Sequence, residues 1–204
     1  MSSSAKIDAN TRLEELAYIV SQALSEHDIS VVLVGGAVVS IYTQNRYQSG
    51  DLDFVAPYSQ QPITPVMESL GFKRQGRHYK HPRCALTVEF PAGSLEIGER
   101  YIDPKECTEL HSELGTLRLL TPTQSTMDRL AAFYRWNDYA SLDQAVWIAA
   151  SQDVDLDVVQ EWSHREGAAK QYEVFKNALW RYAEELGLAG DEDEPQHRGP
   201  QQTR

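Results

Sequence analysis

Residues 31–55 read VVLVGGAVVSIYTQNRYQSGDLDFV, and this stretch decides the fold. The β-branched run Ile29–Val34 predicts a buried strand, because such side chains pack well on a pleated surface. The pair Gly35-Gly36 follows and predicts a tight turn into a short helix over Ala37–Thr43. Leu52–Val55 is a second predicted strand. Strand, glycine turn, helix and strand in this order indicate an α/β first half.

Two aspartates lie in the second predicted strand. Asp51 and Asp53 are two residues apart, so their carboxylates share one face of a strand. Adjacent carboxylates repel each other, and oxygen-only ligands suit Mg²⁺ or Mn²⁺, which complete their shells with phosphates and water. A solvated acidic loop is the alternative. The apolar neighbours Phe54 and Val55 favour a buried strand and therefore a metal site.

A third carboxylate is expected from a neighbouring strand, if two metal ions are held about 4 Å apart. Glu89 fits, because it alternates with apolar residues in the predicted strand Ala85–Phe90. A place on the solvated face of that strand is the alternative for Glu89, and Glu96 is the competing candidate. The N–H groups that follow a strand at Gly35-Gly36 favour a phosphate, although a simple tight turn also accounts for the glycines.

The order Gly35-Gly36, about a dozen residues, then Asp51-Leu52-Asp53 resembles the signature of the nucleotidyltransferase superfamily, whose fold is like that of DNA polymerase β. Within it, AbiE-type toxin nucleotidyltransferases and related bacterial families are most similar, because they favour Gly-Gly and carry a helical second half. The segments 128–132 and 141–145 are similar to their helical part. The resemblance covers about residues 31–150.

The resemblance implies an Mg²⁺- or Mn²⁺-dependent transfer of a nucleoside monophosphate from a nucleoside triphosphate to a hydroxyl acceptor. The acceptor would be a tRNA end, a protein or a small molecule, and an antitoxin would be the partner. Asp51 and Asp53 would bind the metal ions with Glu89, which would also deprotonate the acceptor. Gly35 and Gly36 would hold the phosphates. A noncatalytic partner protein on the same fold is the alternative.

Several other residues are candidates for phosphate binding. Many superfamily members have a serine where Gly36 stands, so part of the phosphate clamp would come from backbone groups or from Ser40 or Ser49. Five of the 19 Lys and Arg residues lie between 73 and 83, in a predicted hairpin centred on Gln75-Gly76. Through such a basic cluster, Lys73 and Arg74 would contact a triphosphate or an RNA end. A solvated hairpin is the simpler alternative.

The second half of the chain is predicted to be helical. Thr121-Pro122 opens a long helical pattern, in which Arg129 would reach a phosphate or pair with a neighbouring carboxylate. The predicted organisation is a nucleotidyltransferase-like domain over 1–120, a helical bundle over 121–188 and a disordered tail over 189–204. The bundle core is predicted to contain six aromatic residues: Trp136, Trp147, Trp162, Tyr172, Phe175 and Trp180. The fold class is therefore α/β (α+β).

Composition excludes several classes of protein. Thirty acidic against 19 basic residues give a net charge of −11, which argues against broad non-specific nucleic-acid binding. The longest apolar stretch, Val31–Val39, is about half of the roughly 20 residues that span a bilayer. The polar start of the chain lacks the features of a secretory signal. No membrane association and a cytoplasmic location are expected.

Overall fold

The computed structural model describes residues 6–57 and 62–187, so the predicted tail over 189–204 lies outside the described residues. Nine strands occur in this part of the chain: β1 Val32–Val34, β2 Asp51–Val55, β3 Lys73–Gln75, β4 His78–Lys80, β5 Thr87–Glu89, β6 Glu96–Ile97, β7 Arg100–Tyr101, β8 Thr108–Ser112 and β9 Gly115–Leu119. Seven helices accompany them: α1 Leu13–Ser25, α2 Gly35–Tyr42, α3 Ile63–Ser69, α4 Pro122–Trp136, α5 Tyr139–Ser151, α6 Leu156–Arg165 and α7 Ala169–Glu185.

Seven of the strands form one mixed sheet in the order β3-β4-β5-β2-β1-β9-β8, and β6 pairs with β7 in a separate hairpin. Strand β2 runs antiparallel to β1 and parallel to β5. The helices that follow β9 pack on one another, and α4 also contacts α2. A mixed sheet followed by C-terminal helices confirms the predicted fold class.

The sheet register separates a buried face from the face that carries the aspartates. Leu33 pairs with Phe54, Leu52 with Val88, and Val88 with Tyr79. Directly paired residues point to the same side of a sheet. These five side chains are all buried in the hydrophobic core. Asp51 and Asp53 alternate with Leu52 and Phe54, so they lie on the opposite face.

The structure differs from the sequence-based expectation at helix α2 and at strand β8. Helix α2 begins at Gly35 rather than Ala37, so the two glycines form its first turn. Strand β8 was not predicted, because its sequence TELHS is polar and its residues are mostly exposed at the edge of the sheet. The pattern of a half-buried strand is weak at such an edge. The segment is a strand because it pairs with β9 along five residues.

The predicted aromatic core is present only in part. Trp162, Tyr172 and Phe175 are buried, and Trp147 and Trp180 are half-buried.

The prediction for Trp136 is wrong, because this side chain is 75% exposed. It is the last residue of α4, where Asn137 adopts a left-handed conformation and ends the helix. Helical spacing places Trp136 on an apolar stripe, but its position at the helix end leaves the indole uncovered.

Among the described residues, no helix combines the length and the apolar character that a membrane crossing requires.

Candidate active site

Three carboxylates meet on one face of the central sheet. Asp51 and Asp53 belong to β2, and the register places Glu89 of β5 directly beside Asp53. One carboxylate oxygen from each of the three lies within 4.8 Å of the others. The aspartates are half-buried, and Glu89 is only 7% exposed. This all-oxygen set is the kind of site that suits Mg²⁺ or Mn²⁺.

The structure distinguishes the two candidates for the third carboxylate. Glu89 lies on the strand that pairs with β2, whereas Glu96 is an exposed residue of the separate β6–β7 hairpin. Within the described part of the chain, the group that could hold a metal ion contains Glu89 and not Glu96.

Asp53 is the carboxylate whose protonation the fold changes most clearly. Burial raises the pKa of Asp53 to about 6, and the charges of Asp51 and Glu89 act in the same direction. The guanidinium of Arg129 opposes this rise. Gathering three carboxylates therefore has an electrostatic cost near neutral pH, and a bound cation would relieve it.

The first turn of α2 lies directly beside the carboxylates. Gly35 has a left-handed φ of +69°, and a Cβ placed there would be 3.0 Å from Oδ2 of Asp53. Glycine adopts this left-handed conformation without the strain that most side chains impose. The first N–H groups of a helix have no partner within the helix and carry partial positive charge. The start of α2 therefore places such groups close to the carboxylates, where an anionic ligand and a cation would meet.

A short hydrogen-bond chain connects the start of α2 to Asp51. The Ser40 hydroxyl donates to the carbonyl of Gly36 (3.2 Å) and accepts from the backbone N–H of Ser49 (2.9 Å). The Ser49 hydroxyl lies 2.9 Å from Oδ1 of Asp51 and 3.0 Å from its carbonyl oxygen, and donates to them. Ser40 is 1% exposed. Both hydroxyls therefore form hydrogen bonds within the protein, and these bonds fix the start of α2 relative to Asp51.

The space above Gly36 is occupied by side chains from the loop before β2. A Cβ at Gly36 would lie 3.1 Å from the Ser49 hydroxyl and 3.2 Å from the hydroxyl of Tyr47. A serine at this position would therefore displace Tyr47 or Ser49. Tyr47 is not predicted as a site residue, because the polar loop around it has no periodic pattern.

Arg129 extends from α4 to the same place. Its Nε and Nη2 donate to one oxygen of Asp128, at 3.0 and 2.5 Å, so the expected ion pair is present. Nη2 also lies 3.9 Å from the position of a Cβ on Gly35. Arg129 is thus a half-buried cation at the start of α2 as well as a partner of Asp128.

The predicted basic hairpin is confirmed as β3 and β4, and its register separates the residues of the basic cluster. Lys73 pairs with Lys80, which pairs with Thr87 of β5, so both lysines share the face of the carboxylates. Arg74 pairs with the buried Tyr79 and lies on the opposite face, where its Nε donates to the carbonyl of Gly76 at 3.1 Å.

Two residues of the hairpin contact Glu89. Nε of Arg77 lies 3.1 Å from Oε2 of Glu89, and Nδ1 of His78 lies 2.5 Å from Oε1. The Arg77 side chain is 80% exposed, so water and salt screen this ion pair. The sequence predicts the basic cluster. It does not predict the contact between this cluster and Glu89, because that contact depends on strand pairing.

A cleft of about 600 Å³ runs along α4 from Asp128 and Arg129 to Trp136, and the three carboxylates do not line it. Its lining includes Asp128, Arg129 and the exposed Trp136 of α4, together with Glu96, Gly98 and Glu166. Its volume is in the range of cavities that bind small molecules.

Comparison with known proteins gives a fold but no close relative. No family model matches the chain, and no curated protein matches it. The antibiotic-resistance factor ANT(2'')-Ia is similar over 86% of this chain and 94% of its own, with 12% identity and a TM-score of 0.47. An antigenic nucleotidyltransferase-like protein from Paracoccidioides brasiliensis is similar over 69% of this chain and 77% of its own, with 16% identity and a TM-score of 0.53. The latter likeness shows that this chain has a nucleotidyltransferase-like fold.

Proposed function

We propose that this chain is an Mg²⁺-dependent nucleotidyltransferase, with Mn²⁺ as the alternative cation, that moves a nucleoside monophosphate from a nucleoside triphosphate to a hydroxyl. The observation that carries the proposal is the convergence of Asp51, Asp53 and Glu89 within 4.8 Å beside the start of α2. These three carboxylates would hold the divalent cation. When bound, such a cation neutralises charge on the phosphates as it develops.

The start of α2 is the proposed site of the triphosphate. The N–H groups of Gly35 and Gly36 and the guanidinium of Arg129 supply positive charge next to the carboxylates. The cleft along α4 would hold the nucleoside part, because it opens from Arg129. Ser40 and Ser49 contribute indirectly, since their hydrogen bonds fix Gly36 and Asp51 relative to each other.

In the proposed reaction, the acceptor oxygen forms a bond to the α-phosphorus. The bond from that phosphorus to the β-bridging oxygen breaks, and pyrophosphate leaves with the electron pair. Glu89 is the proposed base that accepts the proton of the hydroxyl. Glu89 is only 7% exposed, so its carboxylate has little contact with bulk water.

The acceptor of the proposed reaction is a tRNA end, a protein hydroxyl or a small molecule. The resemblance to AbiE-type families suggests an antitoxin as partner. A noncatalytic role is the second candidate function, because Arg77 and His78 already contact both oxygens of Glu89.

Thermal unfolding with and without divalent cations tests the proposal. Mg²⁺ or Mn²⁺ is expected to raise the melting temperature, and one nucleoside triphosphate is expected to raise it further, because both bind only the folded state. Incubation of labelled triphosphates with total tRNA and with lysate is expected to label an acceptor only when the cation is present. Absence of both the shift and the label would favour the noncatalytic candidate.

Replacing Arg77 with glutamine is expected to raise the affinity for Mn²⁺ about two- to fivefold, because an exposed ion pair contributes up to about 1 kcal/mol. The substitution removes a cation that competes for Glu89. Titration calorimetry measures the effect, and Arg74→Gln on the opposite face is the matched control. A lower Mn²⁺ affinity in Arg77→Gln would mean that Arg77 positions Glu89 rather than competing for it.

A further inference from the structure

The side of the carboxylate site that faces away from α2 carries lysines. We infer that the acceptor is the end of a single-stranded nucleic acid, with its phosphates lying across β4 and β3. This inference rests on the proposed nucleotidyl transfer and selects one of its three acceptor classes.

The direction of attack decides which side the acceptor occupies. In an in-line displacement, the attacking and leaving oxygens lie on opposite sides of the phosphorus. The triphosphate groups proposed for Gly35, Gly36 and Arg129 place the leaving pyrophosphate next to β1, the strand that precedes α2. The sheet order continues from β2 to β5, β4 and β3 in the other direction. The acceptor therefore approaches over these three strands.

The register defines the surface that the acceptor would meet. One row of paired residues crosses four strands on the carboxylate face: Asp51, Thr87, Lys80 and Lys73. Neighbouring strands are about 4.8 Å apart, so Lys80 lies about 10 Å and Lys73 about 14 Å from the strand of Asp51. The two lysines thus continue outward from the site in one row of the sheet.

The positive charge of this row favours the binding of a ligand that carries a chain of phosphates. Lys73 and Lys80 are exposed, and neither forms an ion pair with another residue in the described ranges. The whole chain has a net charge of −11, so two unpaired lysines in line with the site are a local exception. Lysine contacts with phosphates supply much of nucleic-acid affinity.

The same row argues against the other two acceptor classes. A small molecule at the carboxylates would end before Lys73, because that lysine is about three strand spacings away. A protein segment could be held by adding a strand to the edge of the sheet. That edge is β3, which has three exposed residues, two of them basic, and edge lysines discourage strand addition.

Binding of nucleic acid without metal or nucleotide tests the inference directly. The probes are fluorescent single strands of about twelve nucleotides, one RNA and one DNA, a length within the usual range for such sites. The double variant Lys73→Gln with Lys80→Gln is expected to bind at least one probe about tenfold more weakly at about 0.1 M salt. The slope of log affinity against log salt is expected to fall by about 1.4, since each phosphate contact of a single strand contributes about 0.7.

The matched control replaces Lys105 and Lys170, two exposed lysines on other elements, with glutamine. This control loses the same charge and is expected to bind like the original protein. Equal weakening in both variants would overturn the inference, as would absence of binding by the original protein. A third outcome would also overturn the inference. If the variant Lys73→Gln with Lys80→Gln binds nucleic acid normally but its melting temperature no longer responds to the triphosphate, the two lysines bind the nucleotide.

The design separates this inference from the proposed function. If the original protein binds the probes through the two lysines but no cation or triphosphate shifts its melting temperature, the proposed chemistry fails and the binding surface stands. If the cation and triphosphate shifts occur and labelling of a protein acceptor is unaffected by the lysine variant, the inference alone fails.

Discussion

Replacing Asp51 and Asp53 together with asparagine is expected to lower nucleotidyl transfer about a thousandfold or more. The double substitution removes two of the three negative charges that would hold the cation. Incorporation of labelled nucleotide into the acceptor measures the effect. Asp143→Asn with Asp153→Asn, at two exposed positions in α5 and in the loop that follows it, is the control and is expected to keep full activity.

The same double variant is expected to be more stable than the original protein when no metal is present. The pKa of Asp53 is raised in the folded state from 3.8 to about 6, so folding favours its protonated form. The unfolded chain releases this proton at lower pH, and the original protein therefore loses stability as the pH rises from about 4 to about 6. The asparagine side chain does not ionise, so the double variant does not lose stability in this way as the pH rises.

Denaturant unfolding at two pH values checks this linkage. At pH 7 the double variant is expected to exceed the original protein by about 1 to 3 kcal/mol in free energy of unfolding, and near pH 4 the difference should largely disappear. Added Mg²⁺ should stabilise only the original protein. A loss of stability in the variant at pH 7 would mean that structural hydrogen bonds to the aspartates, such as the one from Ser49 to Asp51, outweigh the repulsion between the carboxylates, and would count against the metal site.

Replacing Gly35 with alanine is expected to cost about 1 to 2 kcal/mol of stability and about a hundredfold in activity. The stability loss comes from the left-handed φ of +69°, which a side chain strains. The activity loss has a second cause, because the new Cβ would lie 3.0 Å from Oδ2 of Asp53 and would push that carboxylate away.

Gly167 is the matched control for Gly35. It has nearly the same φ, +71°, but a Cβ there would have no atom within 4 Å. Gly167→Ala is expected to lose similar stability and to keep its activity and its response to Mg²⁺. Equal activity loss in both variants would mean that Gly35 acts only through the stability of the fold, and would remove it from the site.

Part of this site could be predicted because it depends on local rules. Strand alternation alone places Asp51 and Asp53 on one face and Leu52 in the core. The Gly35-Gly36 pair after a β-branched run predicts where the strand ends. Helix α4 begins as predicted after Thr121, whose side chain accepts a hydrogen bond from the N–H of Gln124. In each case the decisive residues are within a few positions of one another.

Other features depend on which elements lie side by side. Glu89 and Glu96 are both candidates by pattern, and only the pairing of β5 with β2 brings Glu89 to the aspartates. Alternation along β3 puts Lys73 and Arg74 on opposite faces, but only the hairpin register shows that Lys73 is the one on the face of the carboxylates. The exposure of Trp136 follows from the end of α4, which helical periodicity does not define.

The sequence by itself therefore determined the order strand, glycine turn, helix and strand over 31–55, the paired aspartates and the excess of negative charge. Tertiary structure alone decided the third carboxylate, the cover of Gly36 by Tyr47 and the direction in which the basic hairpin faces. The physical reason is the range of the interactions. Side-chain periodicity and turn chemistry act within one element, whereas strand order and register result from burying the whole core at once.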